Sequence, residues 1–158
     1  MPEPCVGAFF ATDHATIAAM SDPQQDPNAA PPEITPFEWM GGQARVRELV
    51  DRFYDLMDLQ PEFARLRHSH GSTLEDARDK LFWFLCGWLG GPSYYTERFG
   101  HPRLRMRHMP FSIGIEERDQ WLACMDRAMQ ETAVPEPLRQ RLNASFFQTA
   151  DLMRNRGI

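Results

Sequence analysis

Residues 95–125 read YTERFGHPRLRMRHMPFSIGIEERDQWLACM, and the expected fold and function both start from this stretch. His108 follows three closely spaced arginines, and after it come an apolar turn and a helix-like run that contains Trp121. Histidine is a common ligand of metals and haem iron, and neighbouring arginines can receive anionic groups. The stretch therefore predicts a histidine-centred site, provided that the rest of the chain builds an apolar pocket beside it.

The composition is that of one globular domain with a hydrophobic core. The chain has 158 residues, 42% of them hydrophobic and 25% charged, and its net charge is −5. Its arginines are interspersed with carboxylates, which argues against nucleic-acid binding. No apolar run approaches the roughly 20 residues of a membrane span, and the first 44 residues lack the Lys or Arg of a secretory signal. The three cysteines lack metal-type spacing, so we expect reduced thiols in a cytoplasmic protein.

Residues 1–36 are expected to form a disordered, low-complexity tail that precedes a folded domain at 37–158. The tail mixes Pro, Ala, Asp and Gln without a sustained period, and prolines near its end block a long helix. A second methionine, Met20, offers another start of translation. We hypothesise that the native protein begins there, and an intact mass that includes residues 1–19 would contradict this hypothesis.

Hydrophobic periodicity predicts an all-α fold, since no stretch alternates as a strand does. The main predicted helices are 43–58, the segment after the loop 68–72, the segment from Ile115, and the segment that begins at Pro135 and Pro137. Tyr54 borders the buried face of the first helix, and Pro61 begins a shorter helical segment. Thr73 and Asp76 resemble a capping box at the start of the second main helix. Residues 94–109 show no clear period.

Taken alone, the pattern around His108 has two interpretations. No second histidine stands at ligand spacing, which weighs against zinc with its four ligands. Haem needs one protein ligand, a large apolar slot and cations for its propionates, and the aromatic residues and the arginines at 103–107 can supply these. The alternative is an ordinary aromatic core beside a solvated arginine face, and the residue types alone favour that alternative.

Longer motifs resemble those of the group II truncated haemoglobins. The matching segments are Gly41-Gly42, Arg52-Phe53-Tyr54, Gly90-Gly91-Pro92, residues 95–108, Pro110-Phe111 and residues 117–125. Their order and approximate spacing agree with the family over about residues 37–156, which leaves the tail outside. The resemblance implies haem as the cofactor and a truncated globin fold, in which two helix pairs are crossed over each other.

The resemblance also implies roles for single residues. His108 matches the proximal ligand of the haem iron, Tyr54 the distal tyrosine, and Trp121 the tryptophan that characterises this group in the ligand pocket. Further candidates for haem contact are Lys80 and Arg107 at the propionates, Ala77 and Leu81 on the distal helix, Phe84 and Phe111.

One distal position departs from the family pattern. Ala77 stands where many globins place a hydrogen-bonding residue, so polar contacts must come from elsewhere. The loop after His68 offers two candidates for a third distal residue, because alignment backwards from Ala77 selects His70 and alignment forwards from Tyr54 points nearer Arg67. We choose His70.

The resemblance implies reversible binding of oxygen and of other diatomic ligands such as nitric oxide and carbon monoxide. Tyr54, Trp121 and His70 can donate hydrogen bonds to a ligand and slow its release, which favours redox chemistry or ligand sensing over oxygen transport. A peroxidase-like or nitric-oxide-detoxifying enzyme is the first alternative, and it needs an external reductant because the sequence holds no reductase domain. A haem-free helical interaction module is the second. We expect a monomer or homodimer without a membrane partner.

Overall fold

The computed structural model describes residues 34–103, 106 and 113–154 of the chain. Within these ranges it is α-helical, with one 3₁₀ turn at Pro61–Phe63 and no strand. The helices are α1 (Pro36–Met40), α2 (Gln43–Leu59), α3 (Ala64–His68), α4 (Glu75–Trp88), α5 (Tyr94–Phe99), α6 (Ile115–Glu131) and α7 (Glu136–Met153). The all-α expectation is confirmed, and α2, α4, α6 and α7 are the four main helices that the periodicity predicts.

The long helices form two packed pairs. Helix α2 packs on α4 in one pair, α6 packs on α7 in the other, and α2 also lies against α6. The Phe146 ring of α7 stacks on Trp88 of α4 with centroids 4.8 Å apart, and its centroid is 5.5 Å from that of Trp121 on α6. This ring therefore connects three of the four long helices, and the two-over-two globin arrangement expected from the sequence is confirmed.

Helix α1 begins at Pro36, one residue before the domain boundary expected from the sequence. The Thr35 hydroxyl caps it by accepting the Glu38 N–H at 3.1 Å. The Phe37 N–H donates to the Leu89 carbonyl at 2.9 Å, which seats α1 on the turn after α4. At Gly91 in that turn, a Cβ atom would lie 2.6 Å from the Phe37 ring, so the close approach of α1 requires glycine.

Two local details differ from the sequence pattern. Helix α4 begins after Leu74, and the capping box predicted from Thr73 and Asp76 is wrong: Leu74 is 7% exposed and takes the cap position because it packs into the core. The Thr73 hydroxyl instead accepts the Glu75 N–H at 3.3 Å. Helix α5 is the other difference, since a six-residue helix is too short to show a hydrophobic period.

Two of the cysteines, Cys86 on α4 and Cys124 on α6, are buried as free thiols. Burial raises the pKa of each to about 12. The Cys124 thiol also donates to the Phe53 carbonyl at 3.3 Å. Both side chains are therefore protonated and inert in the folded chain. No helix in the described part of the chain is long and apolar enough to cross a membrane.

Candidate functional site

The Tyr54 hydroxyl is a buried polar group in the middle of the α2–α4 pair. Tyr54 is 0% exposed, and its hydroxyl has no hydrogen-bond partner among the described residues. Burial raises the pKa of Tyr54 well above its ordinary value, although the guanidinium of Arg78, 5.8 Å from the ring centroid, acts in the opposite direction. The phenol therefore stays protonated at any physiological pH and is available as a hydrogen-bond donor.

Trp121 approaches the same region from α6. It is 0% exposed, and its indole nitrogen is buried as well. The Phe53 ring lies 5.1 Å from Trp121 and 4.9 Å from Tyr54, measured between centroids. Phe53 therefore joins the two side chains into one aromatic cluster, because it contacts both from the α2–α6 interface. The structure brings together a tyrosine and a tryptophan that stand 67 residues apart in the sequence.

Of the two candidates for the third distal residue, His70 lies beside Tyr54. Its ring centroid is 6.0 Å from that of Tyr54, and the residue is 7% exposed. Arg67 is half-buried, and its guanidinium donates to the Asp58 carboxylate at 2.9 Å and to the Gly71 carbonyl at 2.7 Å. The assignment of His70 as the third distal residue stays a prediction, and its place beside the Tyr54 ring is consistent with it.

The α4 residues expected to contact haem lie on the buried face of that helix. Ala77 is 5% exposed, Leu81 0% and Phe84 4%, so together they form an apolar wall. Lys80 lies on the partly exposed side, with its amine 6.0 Å from the centroid of the Phe99 ring. The other expected contacts, His108, Arg107 and Phe111, lie outside the described residues.

A cleft of about 680 Å³ opens beside His70, on the side formed by the end of α2 and the loop after α3. It is lined by Met57, Asp58, Leu59, Gln60, Pro61, Ala64, Arg67, His68, His70, Gly71 and Ser72. The sequence pattern did not predict this cleft, because its lining comes from the end of α2, the 3₁₀ turn, α3 and the loop after it, which the fold brings together. The histidines and glycine of the loop are its only signal in the sequence.

The comparisons with known proteins agree with this arrangement. The family model described as Bacterial-like globin matches residues 35–155. The Group 2 truncated hemoglobin YjbI of Bacillus subtilis (strain 168) is 38% identical over 120 residues, which cover 76% of this chain and 88% of that protein.

Solved structures show the same fold. The Group II 2-on-2 hemoglobin of Agrobacterium tumefaciens is 43% identical, with a TM-score of 0.77 over 82% of this chain and 100% of its own. A truncated oxygen-avid haemoglobin from Bacillus subtilis is 38% identical, with a TM-score of 0.71 over 77% of this chain and 100% of its own. The chain therefore belongs to the bacterial-like globin family, within the group II truncated haemoglobins.

Membership of the globin family implies haem as the cofactor, and the described residues fit that group. The α4 face offers an apolar wall of the kind that a porphyrin needs. The Tyr54 hydroxyl is buried and has no hydrogen-bond partner among the described residues. Buried polar groups in native proteins normally have a partner, so this hydroxyl indicates that a ligand with an acceptor atom belongs next to it.

Proposed function

We propose that this chain is a haem protein that binds oxygen and other diatomic ligands at an iron held by His108, with Tyr54 and Trp121 on the ligand side. The observation that carries the proposal is the buried Tyr54 hydroxyl, which has no acceptor among the described residues. Haem, when bound, supplies the iron at which such ligands coordinate. The chain's own contribution is to exclude water around that position and to direct hydrogen-bond donors toward it.

The energetics favour a ligand that accepts a hydrogen bond. A buried hydroxyl left without a partner destabilises a protein by about 1–3 kcal/mol, and a ligand that accepts its proton removes that penalty. Tyr54 keeps its proton because burial raises its pKa, so the donor is present throughout the physiological pH range. Each such hydrogen bond is worth about 1 kcal/mol net, which corresponds to roughly fivefold slower release of the ligand.

Because Ala77 has no polar side-chain atom, other side chains must donate the hydrogen bonds to the ligand. Ala77 faces the core from α4 and carries no donor, so the polar contacts come from Tyr54 on α2 and Trp121 on α6. The relative from Bacillus subtilis is an oxygen-avid haemoglobin. In this chain, two hydrogen-bond donors would stabilise bound oxygen and slow its release, which accords with that description.

The remaining residues hold the cofactor under this proposal. His108 ligates the iron through a ring nitrogen, and Lys80 and Arg107 pair with the propionates. Ala77, Leu81, Phe84 and Phe111 contact the porphyrin and keep water away from the iron. The exposed fraction of 0–5% on the three described residues of this apolar set supports that part of the proposal.

The visible spectrum of the purified full-length protein tests the proposal. We expect a Soret band, and we expect His108→Ala to lose stable haem, because the ligand to the iron is removed. His68→Ala is the matched control, since His68 is an exposed histidine at the end of α3 and should retain normal haem content. A His108→Ala protein that retains haem with an unchanged spectrum would refute the assignment of the ligand. A wild-type chain without a Soret band after haem addition would leave only the helical interaction module.

A further inference from the structure

The short helix α3 is fastened to α6 by polar contacts. Its first N–H groups have no partner within the helix, as at any helix N-terminus. The Leu66 N–H is one of them, and it donates to the side-chain oxygen of Gln120 at 2.9 Å. Arg65 adds hydrogen bonds to Glu116 and, at 3.0 Å, to Glu117. Gln120 directly precedes Trp121, so the helix that supplies the tryptophan also binds Leu66 of α3, which lies four residues before His70.

The carbonyl oxygen of Leu66 contacts both Ser69 and His70. Helix α3 ends at His68, and the Leu66 carbonyl accepts the Ser69 N–H at 3.1 Å and the Ser69 hydroxyl at 2.6 Å. The Nδ1 atom of His70 lies 2.9 Å from the same carbonyl oxygen. One backbone residue therefore connects the Gln120 amide with the His70 ring.

These contacts require a proton on the Nδ1 atom of His70. A carbonyl oxygen can only accept, so Nδ1 of His70 must donate to Leu66. The Ser69 hydroxyl, 3.4 Å from Nδ1, directs its own proton to the Leu66 carbonyl, so toward Nδ1 it too can only accept. A neutral imidazole with its proton on Nδ1 carries a lone pair on Nε2. The Nε2 atom of His70 is buried, which places an acceptor in the interior.

We propose that Gln120 is a positioning residue that acts through the Leu66 backbone to hold the neutral His70 ring with its proton on Nδ1 and its acceptor on Nε2. The consequence for ligand binding rests on the proposed function. On this assignment the His70 ring presents an acceptor nitrogen rather than a donor in the interior, and donation to the ligand falls to Tyr54 and Trp121. This differs from the role of donor that the sequence suggests for His70.

Nuclear magnetic resonance of the full-length protein tests both parts of the inference. Long-range ¹⁵N–¹H spectra of the histidine rings, recorded in the diamagnetic ferrous protein saturated with carbon monoxide, distinguish the two neutral tautomers from the doubly protonated ring. Amide hydrogen exchange reports separately on the Leu66 N–H. We expect the Nδ1–H pattern for His70 and a protected Leu66 amide in the wild type.

Three variants separate Gln120 from general effects on stability. Gln120→Met has a similar size but no acceptor, and we expect the Leu66 amide to exchange about five- to tenfold faster and His70 to populate the Nε2–H tautomer. Gln120→Glu keeps an acceptor and should restore both signals. Gln130→Met is the matched control, because Gln130 is exposed on the same helix and its side-chain amide donates to Asp126 of that helix at 2.9 Å.

An Nε2–H or doubly protonated pattern for His70 in the wild type would overturn the inference. Unchanged Leu66 exchange or an unchanged tautomer in Gln120→Met would overturn the role of Gln120. Both signals belong to the chain itself and do not depend on oxygen affinity. Failure of the proposed function would appear instead in the haem spectrum or in oxygen release, so the two failures give different results.

Discussion

Tyr54 offers a residue-scale test that separates function from stability. Tyr54→Phe removes a hydroxyl that has no partner in the described part of the chain and leaves the ring and its contact with Phe53 in place. We expect oxygen release to become roughly fivefold faster, because one hydrogen bond of about 1 kcal/mol is lost. We also expect the haem-free protein to unfold at the same or higher urea concentration, since an unsatisfied buried group is removed. Stopped-flow release and urea unfolding measure the two effects.

Trp121→Phe is the companion change on α6. It removes the indole N–H while keeping an aromatic ring beside Phe53 and Phe146. We expect faster oxygen release by a similar factor, and the double variant with Tyr54→Phe reports whether the two donors act on the same ligand. An off-rate unaltered by either single change would remove that side chain from the mechanism.

At this scale the sequence predicts well where a motif is contiguous and less well where contacts are long-range. Tyr54 and Trp121 were selected from motifs and both are 0% exposed, while their roles toward a ligand stay predictions. The choice between His70 and Arg67 depends on how the loop folds back onto α2, where Arg67 pairs with Asp58. The link from Gln120 to Leu66 spans 54 residues and two helices, and no local pattern contains it.

Among the elements, the turn after α4 gives a prediction with an internal control. At Gly91 an added Cβ would meet the Phe37 ring at 2.6 Å, so Gly91→Ala should displace α1 and destabilise the fold by about 1–3 kcal/mol. At Gly87, inside α4, the nearest atom to a Cβ is the Pro92 carbonyl oxygen at 3.5 Å, an ordinary contact. Gly87→Ala should therefore stabilise the helix by up to about 1 kcal/mol.

Thermal unfolding measures both variants. The same chemical change, Gly to Ala, should lower the stability at position 91 and raise it at position 87. A Gly91→Ala protein as stable as wild type would mean that the close contact of Phe37 with the turn is not needed for stability. Equal destabilisation by both changes would point to a general intolerance of α4 rather than to contact with Phe37.

The long helices were predictable because their apolar faces repeat over 14 to 18 residues. The shorter elements were not, for two physical reasons. Helix α5 has six residues and gains its stability from the buried Tyr95, so tertiary packing decides it. The start of α4 is decided by burial of Leu74, which outweighs the capping preference of Thr73.

For the molecule as a whole, Phe146 is a side chain that links the two helix pairs. Its ring contacts Trp88 and Trp121, and it is 1% exposed. Phe146→Ala should lower the free energy of unfolding by about 3–5 kcal/mol, because it leaves a cavity between both helix pairs. Phe147→Ala is the control: the next residue is 48% exposed, so its truncation should have an effect below about 1 kcal/mol.

Chemical denaturation monitored by helical circular dichroism measures both variants. If Phe146→Ala does not fold, Phe146→Leu gives the same comparison with a smaller loss of volume. Equal stability of the Phe146→Ala and Phe147→Ala proteins would contradict the central position of Phe146. The all-α class followed from the helical periodicity, whereas the crossing of the helix pairs followed from the resemblance to the group II truncated haemoglobins.

The two buried thiols make it possible to measure how often each helix pair opens. Cys86 belongs to the α2–α4 pair and Cys124 to the α6–α7 pair, and neither reacts while its helix stays packed. Alkylation of each sulfur, followed by mass spectrometry of its peptide, therefore counts how often that half of the molecule opens. Matching rates at both sulfurs would mean that the halves come apart in one concerted event, whereas unequal rates would reveal which half yields first.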